Sequence, residues 1–172
     1  NMRKTLIVLQ YTFSLSFIAT TIIGYQQYRH YVTFDLGFST ENILNISLYG
    51  NKSDLLAKEL SEMPEVKGLS TCSMISSLGN AIGVNMKYSD PLDSSFVIHN
   101  MVDENYLPLH DYKLLAGRNF NARPRGFMES EVIVNEEVLK HFNIGGQNPQ
   151  KAIGEVVLVN RQPMQIIGVV KN

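Results

Sequence analysis

The chain opens with an apolar run that no other stretch of it matches. From Thr5 to Gly24 the residues read TLIVLQYTFSLSFIATTIIG, and no charged side chain lies between Lys4 and Arg29. As a helix rising about 1.5 Å per residue, this run is about as long as a bilayer's hydrocarbon core is thick. Arg3 and Lys4 precede it, where positive charge favours a cytoplasmic end, and Tyr25, Tyr28 and Tyr31 follow as an interfacial aromatic group. The hydroxyls of Thr5, Thr12, Ser14, Ser16, Thr20 and Thr21 fit such a helix, because each can bond back to a carbonyl of its own helix. The pattern predicts a transmembrane helix with lipid around Thr5–Gly24, continuing without a proline through Gln26–Tyr31 as a stalk. Three other readings compete. A cleaved signal peptide wants a shorter apolar core and a small-residue cleavage site, where Ile22-Ile23-Gly24-Tyr25 stands instead. A buried helix of a soluble protein tolerates Gln10 and the hydroxyls, and a surface amphipathic helix would want a Lys/Arg stripe that neither face carries.

Asp35-Leu36-Gly37-Phe38 breaks the helix, so the expected division is a membrane and stalk helix over 1–34 and a folded domain over 35–172. Ile43–Leu48 alternates apolar and polar residues like a half-buried strand. Ser53–Met63 follows as a helix with Ser53 as cap, Leu55, Leu56, Leu60 and Met63 on one face, and Pro64 as its stop. With Val66–Met74 as the next strand, these predict a β-α-β unit with parallel neighbours and a right-handed crossover. A Ser/Gly-rich loop covers 75–84, Asn85–Ser89 is a short strand ended by Asp90-Pro91, and Phe96–Val102 is a stronger one. A helical turn over Glu104–Leu109, a turn at Ala116-Gly117-Arg118 and a polar loop over 121–129 come next. Glu131–Val134 is a strand, and Asn135 caps a helix through Phe142, with Glu136 and Glu137 placed well for the helix dipole. Gly145-Gly146 closes it, and Val156–Val159 with Met164–Val170 form a hairpin. The expected fold class is α+β, a mixed α/β domain carried on a long helix. Its expected core holds Ile43, Ile46 and Leu48 or their alternates, with Leu56, Leu60, Val66, Leu69 and Val97, then Val132, Val134, Leu139, Val157, Ile166, Ile167 and Val169.

Composition narrows the function classes. The chain has 172 residues and a formal net charge of −1, so no basic field argues for nucleic acid. Cys72 is the only cysteine, which excludes an internal disulfide and a cysteine-rich zinc site. A strand-like setting makes it a small buried residue. The QIIGVV run two residues before Asn172 reads as a cut end, and more chain is expected after it.

Candidate chemistry is thin. His99, Asp103, Glu104 and His110 have the residue types of a metal site or an acid–base pair, but not the i, i+4 spacing of a helical ligand pair. No G-x-S-x-G surrounds a serine. Gly79/Gly83 and Gly145/Gly146 lack the Lys-Ser/Thr of a phosphate loop, so ATP hydrolysis is not expected here. Arg118, Arg123 and Arg125 form a basic loop that is either solvated or meets an anionic ligand or partner. No catalytic, cofactor-binding or metal residue is assigned.

Four segments then resemble one family. VDENYLPLHDYKLLAGRNF (102–120), SEVIVNEEVLKHF (130–142) and AIGEVVLVNRQPMQIIGVVKN (152–172) are similar, in order and in register, to segments of MacB-like and FtsX-like ABC-transporter permeases. The apolar helix followed by FDLGFSTENILNISL (34–48) resembles their helix-to-domain junction in members from the Bacteroides group. Asn172 stands where the family usually has Asp-Phe. The resemblance implies a permease subunit with a porter-and-sabre-like periplasmic core domain of β-α-β units. It implies a bacterial inner-membrane location with residues from about 30 onward outside. It also implies a cytoplasmic ABC ATPase as partner, a second permease copy, and a periplasmic adaptor or substrate protein. The function implied is relay of ATP-driven movement during export of peptide, drug or lipoprotein-type substrates, with no catalytic residue in this domain. From another class, a membrane-anchored sensor or ligand-binding domain would use the same helix. An enzyme working through His99, Asp103 and His110 is the third option.

Overall fold

The structure is a computed structural model and describes residues 2–76, 81–89, 94–122 and 129–172. Ser77, Gly79 and Asn80 of the expected loop, the Asp90-Pro91 turn, and Arg123 and Arg125 lie outside the described residues. The chain divides into two units, Asn1–Leu36 and Gly37–Asn172.

The first unit is one unbroken helix, α1 (Met2–Thr33), and none of its described side chains is buried. Gly24 does not interrupt it. Four of the expected hydroxyl bonds form: Thr12, Ser16, Thr20 and Thr21 each donate to the carbonyl four residues back, at 2.8–2.9 Å. Hydroxyls satisfied within the helix need no water, which an apolar solvent could not supply.

In the second unit, α2 (Asp54–Ser61) precedes a six-stranded sheet. Its strands are β1 (Gly83–Lys87), β2 (Ser94–Ile98), β3 (Leu114–Gly117), β4 (Glu131–Asn135), β5 (Val156–Val159) and β6 (Gln162–Val170). Short helices α3 (Tyr106–Leu109), α4 (Glu136–Phe142) and α5 (Pro149–Ala152) connect them. The order is β2-β1-β5-β6-β3, with β4 also paired to β6. β4 runs parallel to β6, and the other pairings are antiparallel.

Strand β6 is the hub. Gln165 pairs with both Glu131 and Val156, and Val170 pairs with both Asn135 and Leu114. A strand has two edges, so β4 must hold one edge while β5 and then β3 share the other. Ile167 has no partner on β4, because the register jumps from Val132–Ile166 to Ile133–Gly168. This bulge breaks strict alternation. It lets all of Ile166–Val170 be buried, with Ile166 and Val169 in the main core and Val170 in a second cluster beside Tyr106 and Leu107. At Gly117 (φ +77°) an added Cβ would lie 2.1 Å from the Ile167 carbonyl oxygen and 2.9 Å from Gly168 Cα. Only glycine allows β3 to approach β6 this closely.

The second half of the domain follows its local signals. The Asn135 side chain accepts the Val138 amide at 3.1 Å and caps α4, whose Leu139 and Phe142 are buried. Asn143, at φ 50°, ends that helix before the expected Gly145-Gly146, which instead lie at positive φ in the following 3-10 turn. The hairpin between β5 and β6 turns at Asn160 and Arg161, both at positive φ, and β6 already starts at Gln162. Ala116 and Gly117, expected as a turn, are strand residues of β3.

The first half departs from expectation. The β-α-β unit over 43–74 does not form. Ile43–Leu48 is not a strand, and 66–74 holds only an isolated antiparallel bridge from Cys72 to Val102. Residues 71–73 are taken by 101–103: Ser73 N donates to Met101 O at 2.8 Å and Asp103 N to Thr71 O at 3.2 Å. That pairing also stops β2 at Ile98, short of the expected Val102. Ser53 makes no side-chain cap bond, and α2 has no buried residue. Of the expected core, Val134, Leu139, Val157, Ile166, Ile167 and Val169 are buried, and Val97 and Val132 pack against them half-buried. Ile46 and Leu56 are exposed, whereas Ile43, Leu48, Leu60, Val66 and Leu69 are only half-buried. Val84, Met86, Phe142, Ile144 and Met164 fill the core in their place.

Removing a fully enclosed leucine costs both transfer energy and a cavity. Leu139→Ala is therefore expected to lower stability by about 2–5 kcal/mol, and Asn135→Ala by about 1 kcal/mol. Leu55→Ala, at a side chain in an exposed residue, should stay within about 0.5 kcal/mol. Urea unfolding of the three variants checks this, and a Leu55 cost equal to that of Leu139 would contradict the packing described.

Candidate functional site

Two constellations outside the main core bring polar and aromatic side chains together. The first is a cleft of about 600 Å³ whose walls include Cys72, Ser73, His99, Asp103, Glu104 and Glu131. His99, Asp103 and Glu104 thus share one cleft, as their sequence proximity suggested, but His110 does not line it. Among the described residues no group of three His, Cys, Asp or Glu side chains is placed to hold a metal ion.

Asp103 is occupied with structure. Its carboxylate accepts from the Ser70 hydroxyl (2.7 Å), the Thr71 amide (2.6 Å), the Thr71 hydroxyl (3.0 Å) and the Asn105 amide (3.1 Å). A carboxylate holding four donors is a fastener between the 70–71 segment and the turn before α3, not a free base. Asn100 does the same one step away, accepting from Ser73 and Met74 and donating to the Met74 carbonyl. Arg118, expected in a basic loop, binds Glu131 at 2.7 Å and the Asn119 carbonyl at 3.0 Å, so its charge is already matched.

Cys72 corrects its expectation. It is exposed on the cleft wall, since its stretch forms a single bridge and not a buried strand. Partial desolvation and the Asp103 carboxylate both push its thiol above the ordinary range, against a backbone hydrogen bond at Met74 that lowers it. Both dominant causes disfavour the thiolate, the form that reacts. This is the opposite of an activated nucleophile.

The second constellation is aromatic and was missed by spacing. Tyr106 and His110 stand four apart across α3 and its cap, and their rings meet at 4.4 Å. Tyr112 joins at 6.0 Å from Tyr106, and Phe38 stacks on Tyr112 at 5.1 Å with 15° between planes. His110 is 7% exposed, and its Nδ1 lies 3.1 Å from the Ser39 carbonyl oxygen. A carbonyl only accepts, so Nδ1 carries the proton. Burial pushes the Tyr112 phenol up. The i, i+4 pair Tyr106/His110 was the available sequence signal. Phe38, about seventy residues away, gave none.

Neither constellation presents a nucleophile with its base, and neither matches a cofactor cradle. The decisive likeness comes from the chain as a whole. A family model described as the MacB-like periplasmic core domain matches residues 9–172. The chain belongs to that family. It is a MacB-like periplasmic core domain of an ABC-transporter permease, as the segments at 102–120, 130–142 and 152–172 implied.

Two macrolide export ATP-binding/permease proteins are similar to this MacB-like domain. The MacB of Rhodopseudomonas palustris is 34% identical over 79 residues, and MacB 1 of Aeromonas hydrophila is 32% identical over 71 residues. Those alignments take in 46% and 41% of this chain but only 12% and 10% of the relatives. The crystal structure of the periplasmic region of MacB from Actinobacillus actinomycetemcomitans superposes with a TM-score of 0.51 at 18% identity. It covers 77% of this chain and 54% of that one. The extracellular domain of the noncanonic ABC-type transporter YknZ from Gram-positive bacteria gives 0.50 at 17% identity, covering 82% and 62%. At such identities the likeness is one of fold.

The Cys72 environment yields a pH prediction. Alkylation by iodoacetamide should follow a profile displaced to higher pH than that of an ordinary exposed thiol, and Asp103→Asn should move it back downward. A profile at or below the ordinary thiol range in the parent would show that the carboxylate and the cleft wall do not act on the sulfur.

Proposed function

We propose that this domain relays ATP-driven movement across the bacterial inner membrane as part of a permease subunit, with residues from about 30 onward outside. The observation that carries the reading is the continuity of α1. It is 32 residues long, or about 48 Å, against about 30 Å of hydrocarbon. The excess extends the helix past the apolar window through Tyr28 and Tyr31 to Thr33, and the sheet domain begins at Gly37. A stiff helix transmits displacement, whereas a flexible linker dissipates it. Mean hydropathy of 1.8 over its most apolar window and the internally bonded hydroxyls support a lipid environment.

In this reading a cytoplasmic ABC ATPase supplies the energy, a second permease copy completes a dimer, and a periplasmic adaptor or substrate protein meets the outer surface. The domain contributes no catalytic residue. The relatives' role in macrolide export makes export of drug, peptide or lipoprotein-type substrates the corresponding activity here.

The test uses the reconstituted full-length transporter with a nitroxide at Cys72 as the only spin label. Trapping the ATPase with vanadate should shift the distance distribution between the two copies' labels. Inserting three glycines after His30 should abolish that shift while ATP hydrolysis continues. A shift of the same size in the insertion variant would reduce the helix to a tether and defeat the relay.

A further inference from the structure

The first residues of the domain are held by more than a loop requires. Gly37 sits at φ +75°, where a Cβ would lie 2.6 Å from the carbonyl carbon of Asn172 and 2.7 Å from its oxygen, so the backbone presses against the residues that follow β6. Phe38 stacks face-on against Tyr112 at 5.1 Å and meets His110 edge-on at 6.0 Å. Ser39 is bonded in both directions by one residue: its amide donates to the His110 carbonyl at 2.7 Å, and its carbonyl accepts from His110 Nδ1 at 3.1 Å. Three consecutive residues are therefore fixed by steric, aromatic and hydrogen-bond contacts respectively.

The partners lead onward without a gap. The His110 ring lies tilted against that of Tyr106, which is buried and packs with Leu107 and Val170. Tyr112 and Ile133 lie against the same cluster, and the Lys171 amide donates to the Lys113 carbonyl at 2.9 Å. Val170 is the last residue of β6, and Ile133 belongs to β4. Ring contacts and a buried apolar cluster therefore connect residue 38 to the end of the hub strand. By contrast, residues 40–76 form no strand, apart from one bridge at Cys72, and α2 buries no side chain. Without the clasp, force arriving along the chain would first take up the slack in that segment.

We infer that Phe38, His110 and Tyr112 are the positioning residues of a joint through which movement of the preceding helix enters the sheet. This rests on the relay reading above, which the glycine insertion tests separately. In the same spin-labelled, reconstituted transporter, Phe38→Ala and His110→Ala should each remove the vanadate-induced shift in the Cys72 distance while ATP hydrolysis persists. Leu139→Ala, which weakens the main core without touching the clasp, should keep the shift. A shift that survives both clasp variants but not the glycine insertion overturns the joint and leaves the relay standing; one that survives all three overturns both.

Should the alanine variants fail to fold, Phe38→Leu and hydrogen exchange on the parent decide the matter. Phe38→Leu should reduce the shift. In the parent, the Ser39 amide should exchange as slowly as that of Lys171, because both belong to one cooperative unit. Exchange of Ser39 at the rate of an unprotected amide overturns the joint whatever the variants do.

Discussion

Everything in the folded unit depends on β6, which pairs with β4, β5 and β3. One edge is filled by parallel β4, and the other is divided between β5 and β3. The division is possible because two glycines meet: Gly117 of β3 lies against Gly168 of β6, where neither has a Cβ to separate the backbones. The bulge at Ile167 then turns successive residues into two cores, so that a single strand joins the main cluster to the small one around Tyr106 and Leu107. A strand paired on both edges and buried over Ile166–Val170 is expected to open last.

What the sequence made legible divides along the same line. From Glu131 onward each element carries its own punctuation. Asn135 accepts an amide as a helix cap, and Asn160-Arg161 makes the turn, though the short α5 behind Asn148 and Pro149 went unread. Such signals act within a few residues and can be read without knowing the fold. The alternation at Ile43–Leu48 and the apolar run at 66–74 are of a different kind. Alternation says that one face can be buried, but a strand also needs an edge to pair with, and that is a long-range matter. Residues 71–73 found their edge at 101–103, pinned by Asp103 and Asn100, and 43–48 found none among the described residues. The periodicity of α2 was read correctly, yet its Leu55 and Leu56 pack on no core here.

Three of the polar residues singled out act as fasteners. Asp103 binds four donors, Arg118 neutralises Glu131, and His110 anchors Ser39. The aromatic clasp escaped notice because Phe38 and Tyr112 are related only by the fold. Together these contacts hold residues 38–39 and 70–71 against the 103–112 stretch. Membership of the MacB-like family supplies their setting.

Whether α1 crosses the membrane and leaves the domain outside is the claim on which the functional account stands, and Cys72 offers a direct reading of it. This segment's only cysteine is exposed, so a membrane-impermeant maleimide can report its side of the bilayer once the pH is high enough to populate the thiolate. The full-length transporter, with cysteines elsewhere replaced, would be labelled in right-side-out spheroplasts and in inverted membrane vesicles. The account predicts labelling of Cys72 in the spheroplasts and protection in the vesicles until detergent is added. Labelling in the inverted vesicles with protection in the spheroplasts would place the domain in the cytoplasm and contradict it.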